Sequence, residues 1–170
     1  RAANAAACVF SWIMPVCVAN REARFTRACA PERTPMKIAD VRVILIDACY
    51  SYFNIDYLFV LIETDEGIAG LGEASNWPGC PMVRSAIEEM KIFLIGRDPL
   101  QIESIVQDLL RRFHYIGIAG VVPTAVSGIE IALWDLMGKK LGVPVWQLLG
   151  GRSQPRVKTY ANYWAPSLKA

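Results

Sequence analysis

The groups able to move a proton or hold a metal are few in this chain. There is one histidine, His114, and sixteen acids. His114 stands between Phe113 and Tyr115 at the end of a helical stripe, with no acid nearby in sequence. General-base work needs an orienting partner and a substrate within reach, so a His favourably placed at a helix C-terminus is the simpler reading. Glu63 and Asp65 flank a turn, and Glu73 ends a strand in Gly72-Glu73-Ala74. A carboxylate metal site needs several oxygens converging from different strand ends or from one dedicated loop. These acids are instead spread along hairpin edges, and Glu73 reads as a structural partner at a domain interface. Glu130 and Asp135 are about 500° apart on a helix, so they share no face. Gly-rich phosphate cradles and a Gly-x-Ser-x-Gly elbow are missing. From its own residues the chain reads as a structural or binding module.

Five cysteines (8, 17, 29, 49 and 80) form no CxxC pair, and their odd number argues against a secreted disulfide framework. A reducing, cytoplasmic setting follows, with Cys49 and Cys80 acting as small hydrophobes. The net charge of +2 is uneven: residues 1–35 hold five Arg against two Glu, and the remainder thirteen basic against fourteen acidic residues. The body has no basic face suited to nucleic acid or an anionic membrane. The apolar run Ala5–Ala19 contains Pro15 and is too short to span a bilayer. A signal peptide would need a stronger basic start than the single Arg1, and a transit peptide more serine than Ser11. Residues 1–35 therefore read as an upstream extension, disordered or non-native, ahead of a domain starting at Met36.

The elements that must position any site come after Met36. Lys37–Ala48 alternates and then turns continuously apolar, Tyr57–Thr64 is β-rich, and Ile68–Ala74 completes a hairpin through Asp65-Glu66-Gly67. Gly70 and Gly72 in that third strand predict close backbone approach or a bulge. Helical spacing then takes over. Val83, Ala86, Ile87, Met90, Phe93 and Leu94 form one stripe, stopped at Gly96. Asp98-Pro99-Leu100-Gln101 predicts an N-cap with Pro at the first helical position, opening a helix through Phe113. A third helix runs from about Pro123 to Leu141 and stops at Gly142; its Ser127-Gly128 serves close packing, and Asp135 and Lys139 form an i,i+4 pair. Pro144 opens a short helix closed by Gly150-Gly151, and Arg156–Trp164 returns to strand alternation. Strands followed by helices make the α+β class: a three-stranded antiparallel meander, then a helical bundle.

The order Met36-Lys37-Ile38, Ile62-Glu63-Thr64-Asp65-Glu66-Gly67, Gly72-Glu73-Ala74, Leu94-Ile95-Gly96-Arg97-Asp98-Pro99 and Trp134-Asp135 resembles the capping domain of the mandelate racemase and muconate lactonizing enzyme family in the enolase superfamily. The helix Ala125–Lys139 with Pro144–Gly150 resembles that family's helix motif. Within the family, the chain looks most similar to acid-sugar dehydratases of the galactonate dehydratase type. The resemblance implies a cap at 36–151 and the first strand of a (β/α)8 barrel at 152–170. Such a barrel takes about 250 residues, so this chain alone is expected to be an inactive fragment. In the complete protein the resemblance implies Mg²⁺ on the carboxylate of an acid sugar, α-proton removal and loss of water, in a homo-oligomer. The metal ligands and bases lie on later barrel strands, so no catalytic or metal residue, and no bound cofactor, is assigned here. Two regions, Cys49–Tyr57 and Ser75–Met82, correspond to loops that close over the barrel mouth. Tyr52, Phe53 and Trp77 would be aromatic walls, Asn54 and Asn76 polar contacts, and Asn162, Tyr163 and Trp164 would face the site from the first barrel strand. The alternatives are aromatics that merely cover the cap's core, a racemase or cycloisomerase of the same family, and a non-catalytic interaction module.

Overall fold

The computed structural model describes residues 35–48, 55–76, 78–117 and 119–160. Every described residue lies in the unit that spans 34–170. Three strands, β1 (Ile38–Ala48), β2 (Ile55–Thr64) and β3 (Ala69–Glu73), form an antiparallel sheet in the order β1-β2-β3. Alternation sorts their side chains: Leu58, Val60 and Ile62 of β2 face the core, and Tyr57, Phe59 and Leu61 face away. The register slips between Ile38 and Asp40, and this irregularity lets Ile38 and Val41 both point inward. The β2–β3 loop is closed by Thr64, whose hydroxyl donates to the Ile68 carbonyl at 2.8 Å and accepts from the Ile68 N–H at 3.1 Å. Gly67 takes the positive φ of 77° that this loop requires.

Helices cover one face of the sheet. They are α1 (Cys80–Met90), α2 (Ile102–Arg112), α3 (Val121–Leu141) and the short α4 (Val145–Leu148). Cys80, Val83, Ile87 and Met90 of α1 and Ile102, Ile105, Val106 and Leu109 of α2 are the buried stripes. Helix α3 is long and apolar enough to cross a bilayer by length and composition. Here it packs on β2, β3, α1, α2 and α4, which accounts for its having apolar residues almost all round. The close approach expected at Gly70 and Gly72 is present. A Cβ on Gly70 would stand 2.0 Å from the Ala132 carbonyl oxygen, and one on Gly72 2.0 Å from that of Gly128. Gly142 ends α3 in the left-handed conformation, with φ 68°.

Four details differ from the sequence reading. The stripe of α1 passes at Lys91–Phe93 into a 3₁₀ turn ahead of Gly96. Gly96 then turns back, donating to the Ile38 carbonyl at 2.8 Å. Asp98 does not cap α2: its carboxylate accepts from the Leu100 N–H at 2.9 Å, forming a separate turn, and the helix begins at Ile102. An Asp followed by Pro supports either arrangement, because the side chain can bond the amide two residues on instead of a helix N-terminus. Helix α3 begins at Val121, with Pro123 inside its first turn, where a missing N–H costs no hydrogen bond. Residues 156–160, the described part of the strand read over Arg156–Trp164, are exposed and lie in no strand. A strand needs a partner to form, and none flanks them among the described residues.

Candidate functional site

The two regions expected from the resemblance to cap a barrel, Cys49–Tyr57 and Ser75–Met82, adjoin neighbouring ends of β2 and β3. Tyr52, Phe53, Asn54, Trp77, Asn162, Tyr163 and Trp164 lie outside the described residues. The described residues of those regions are 55–57, Ser75, Asn76 and 78–82. The ladder continues past Glu73: the Ala74 N–H donates to the Leu58 carbonyl at 2.7 Å, and the Leu58 N–H donates to Ser75 Oγ at 3.1 Å. Asn76 is half-buried and Nδ2 donates to Thr124 Oγ1 at 3.3 Å, in the first turn of α3. Thr124 in turn donates its hydroxyl to the Gly120 carbonyl at 2.8 Å. The Asn76 N–H donates to Cys80 Sγ at 3.4 Å, and that buried thiol donates to the Asp56 carbonyl at 3.4 Å. Cys80 is thus a small core residue, and it also links the ends of both capping regions.

Four of the acids singled out above, and the histidine, have structural partners; Glu73 is exposed, and none is found for it among the described residues. Glu63 pairs with Arg42 at 2.5 Å, and Asp65 accepts from the Lys37 N–H at 2.8 Å. His114 Nδ1 donates to the Arg111 carbonyl at 2.6 Å, closing the end of α2, with its ring against Tyr115. Glu130 accepts from Trp134 Nε1 at 3.4 Å while Asp135 serves β3, so the two acids act separately. The hydrogen bond from Lys91 holds the Asp40 carboxyl below its ordinary range against the opposing effect of desolvation. Arg112, with Arg97, does the same for Asp108. Both are structural ion pairs poorly suited to taking a proton.

The pair Asp135–Lys139 does more than stabilise its helix. Asp135 Oδ2 accepts from the Leu71 N–H at 2.8 Å, and Lys139 Nζ donates to the Ala69 carbonyl at 2.8 Å. Together they occupy polar groups on the outer edge of β3. The i,i+4 spacing signals the pair but not this reach across to the sheet. Thr124 carried no signal in the sequence at all.

Among the described residues no three His, Cys, Asp or Glu side chains are grouped to hold a metal. The donor set for a divalent ion is therefore not found there. A cavity of about 300 Å³ is lined by Asp135, Lys139, Val143 and Pro144, and another of about 450 Å³ by Trp146, Arg152, Gln154 and Val157. In the second, the Arg152 guanidinium lies 5.2 Å above the Trp146 ring. Neither cavity touches Asn76, and the one acid–base pair in the first, Asp135–Lys139, is committed to the edge of β3.

Residues 27–150 match the family model described as "Mandelate racemase / muconate lactonizing enzyme, N-terminal domain", a match that begins ahead of Met36. The chain is 44% identical over 104 residues to a D-galactonate dehydratase of Xanthomonas euvesicatoria, covering 61% of this chain and 27% of that protein. It is 45% identical over 105 residues to the D-galactonate dehydratase of Pectobacterium atrosepticum, covering 62% and 27%. Among solved structures it is similar to an enolase from Pantoea ananatis with bound D-gluconate and Mg, at 40% identity and TM-score 0.63, covering 70% of this chain and 28% of that one. The chain thus spans about a quarter of the length of these relatives. The meander, the helices behind it and the match over residues 27–150 agree, and the chain belongs to the mandelate racemase / muconate lactonizing enzyme family, carrying its N-terminal domain.

Proposed function

We propose that residues 36–151 are the cap of a metal-dependent acid-sugar dehydratase, and that 152–170 open its (β/α)8 barrel. The observation carrying this reading is the 44–45% identity to two D-galactonate dehydratases over 104–105 residues. The reaction removes the proton α to the substrate carboxylate and expels the β-hydroxyl as water, leaving an enol that becomes a 2-keto-3-deoxy acid. A divalent metal such as the Mg accompanying D-gluconate in the Pantoea protein supplies positive charge in that chemistry. The described residues offer it no ligand set, so this chain's own part is to close over the substrate and position the capping segments. Tyr52, Phe53 and Trp77 wall the substrate, Asn54 and Asn76 meet its hydroxyls, and Asn162, Tyr163 and Trp164 approach it from below. The working protein is a cytoplasmic homo-oligomer.

Two assays test the reading. The purified 170-residue chain, given D-galactonate or D-gluconate with Mg²⁺, is expected to form no keto acid. Turnover would overturn the assignment of the chemistry to other residues. Residues 36–151 grafted in place of the matching segment of the Pectobacterium enzyme are expected to retain dehydration of an acid sugar. A folded graft without any turnover would overturn the capping role.

A further inference from the structure

Beyond membership of the cap, the hydrogen bonds around Asn76 have a direction. The Gly120 carbonyl can only accept, so the single hydroxyl proton of Thr124 is committed to it. Thr124 Oγ1 can then only accept from Asn76, which requires the carboxamide to turn its NH₂ toward α3. Among the described residues Asn76 Oδ1 takes no hydrogen bond and remains available to a donor. The backbone of Asn76 is held as well: its N–H donates to Cys80 Sγ at 3.4 Å and its carbonyl accepts from the Gly79 N–H. The same thiol reaches the Asp56 carbonyl, in the other capping region.

We infer that Thr124 is a positioning residue for the second capping segment. Its hydroxyl selects one orientation of Asn76, presenting Oδ1 as an acceptor for a substrate hydroxyl while the backbone is fixed against α1. This role rests on the capping function proposed above, but its geometry can be tested apart from any turnover. Thr124 touches no substrate in this assignment; it acts through Asn76.

The test is amide hydrogen exchange on the 170-residue chain and its variants, followed at residues 74–80 with residues 60–64 of β2 as the internal reference. Thr124→Val removes the hydroxyl and keeps the shape, and is expected to speed exchange at Asn76 and Gly79 by about three- to tenfold, the scale of one net hydrogen bond. The reference strand stays unchanged, and Thr124→Ser restores the slow rates. Unchanged exchange at 74–80 in Thr124→Val would overturn the inference. So would a uniform rise that includes 60–64, or a Ser variant that behaves like Val. These readings hold whether or not the whole protein proves to be a dehydratase. In an active graft, Thr124→Val is expected to raise KM with little change in kcat, as loss of uniform binding does.

Discussion

Gly72 on β3 and Gly128 on α3 meet backbone to backbone, since a Cβ on Gly72 would come within 2.0 Å of the Gly128 carbonyl oxygen. The contact is reciprocal in kind: a Cβ on Gly128 would stand 2.5 Å from Ala74 Cβ and 3.2 Å from Val60 Cγ2. Two opposing effects decide the outcome of Gly128→Ala. Alanine favours a helix interior by about 1 kcal/mol over glycine, whereas overpacking a fitted seam costs about 1–3 kcal/mol. The atoms in the way belong to core residues with little room to shift, so overpacking prevails. Gly128→Ala should lower the urea midpoint, and Gly72→Ala, which meets backbone atoms, should lower it further. Adding Ala74→Gly to Gly128→Ala should recover part of the loss in a double-mutant cycle. A stabilised Gly128→Ala would show that the seam is looser than described.

That seam was legible in the sequence, because two glycines in a strand and a Ser-Gly in a helix have few explanations other than close approach. The strands, the helical stripes and the Gly142 stop were readable for a similar reason: each is a local pattern with one dominant physical cause. Asp98 misled because one side chain can cap a helix or close a turn, and the sequence does not rank the two. What stayed hidden is long in sequence separation. Asp135 reaches Leu71 and Asn76 reaches Thr124 only once the sheet has docked on α3. The capping side chains suggested by resemblance lie mostly outside the described residues, and Asn76 alone among them is placed.

The outer edge of β3 supplies the second prediction. Asp135→Ala removes the acceptor of the Leu71 N–H and the partner of Lys139 at 2.6 Å. The edge is exposed, so water can replace part of the loss, and the cost should be about 1 kcal/mol, below the roughly 1.5–3 kcal/mol of a hydrogen bond to a charged group. The larger effect should be on association, since an uncovered strand edge is a template for pairing with another chain. Light scattering on Asp135→Ala should show more self-association than the parent chain at equal concentration. A variant that is destabilised yet equally monodisperse would limit Asp135 to a helix-pairing role.

Acid stability should follow Asp108. The Arg112 hydrogen bond first, then the charges of Arg112 and Arg97, hold this carboxyl below the ordinary aspartate value of 3.8, against the opposing effect of desolvation. A carboxyl lowered on folding stabilises the fold above its unfolded value, and that contribution disappears as the pH falls through the lower folded value. Asp108→Asn should therefore be less stable than the parent near neutrality, with the two stability curves converging as the pH drops below 3.8. A gap of constant size down to strong acid would assign the effect to packing instead of charge.

The outward face of the sheet makes the last prediction. Ile44, Ile46, Tyr57 and Leu71 remain 42–47% exposed there, beside Phe59, whose ring lies 6.3 Å from that of Tyr57. These side chains point away from the core on which the helices pack, so shortening them should leave no internal cavity. Threonine has the β-branched shape that suits a strand. Ile44→Thr, Ile46→Thr and Leu71→Thr should each change stability by no more than about 0.5 kcal/mol, as exposed substitutions do. Combined, they should reduce the binding of a hydrophobic dye, because contiguous exposed apolar surface is what such a dye detects. A fall in the urea midpoint corresponding to more than about 2 kcal/mol for the triple variant, beyond the sum of three surface changes, would mean that the face is packed within the chain.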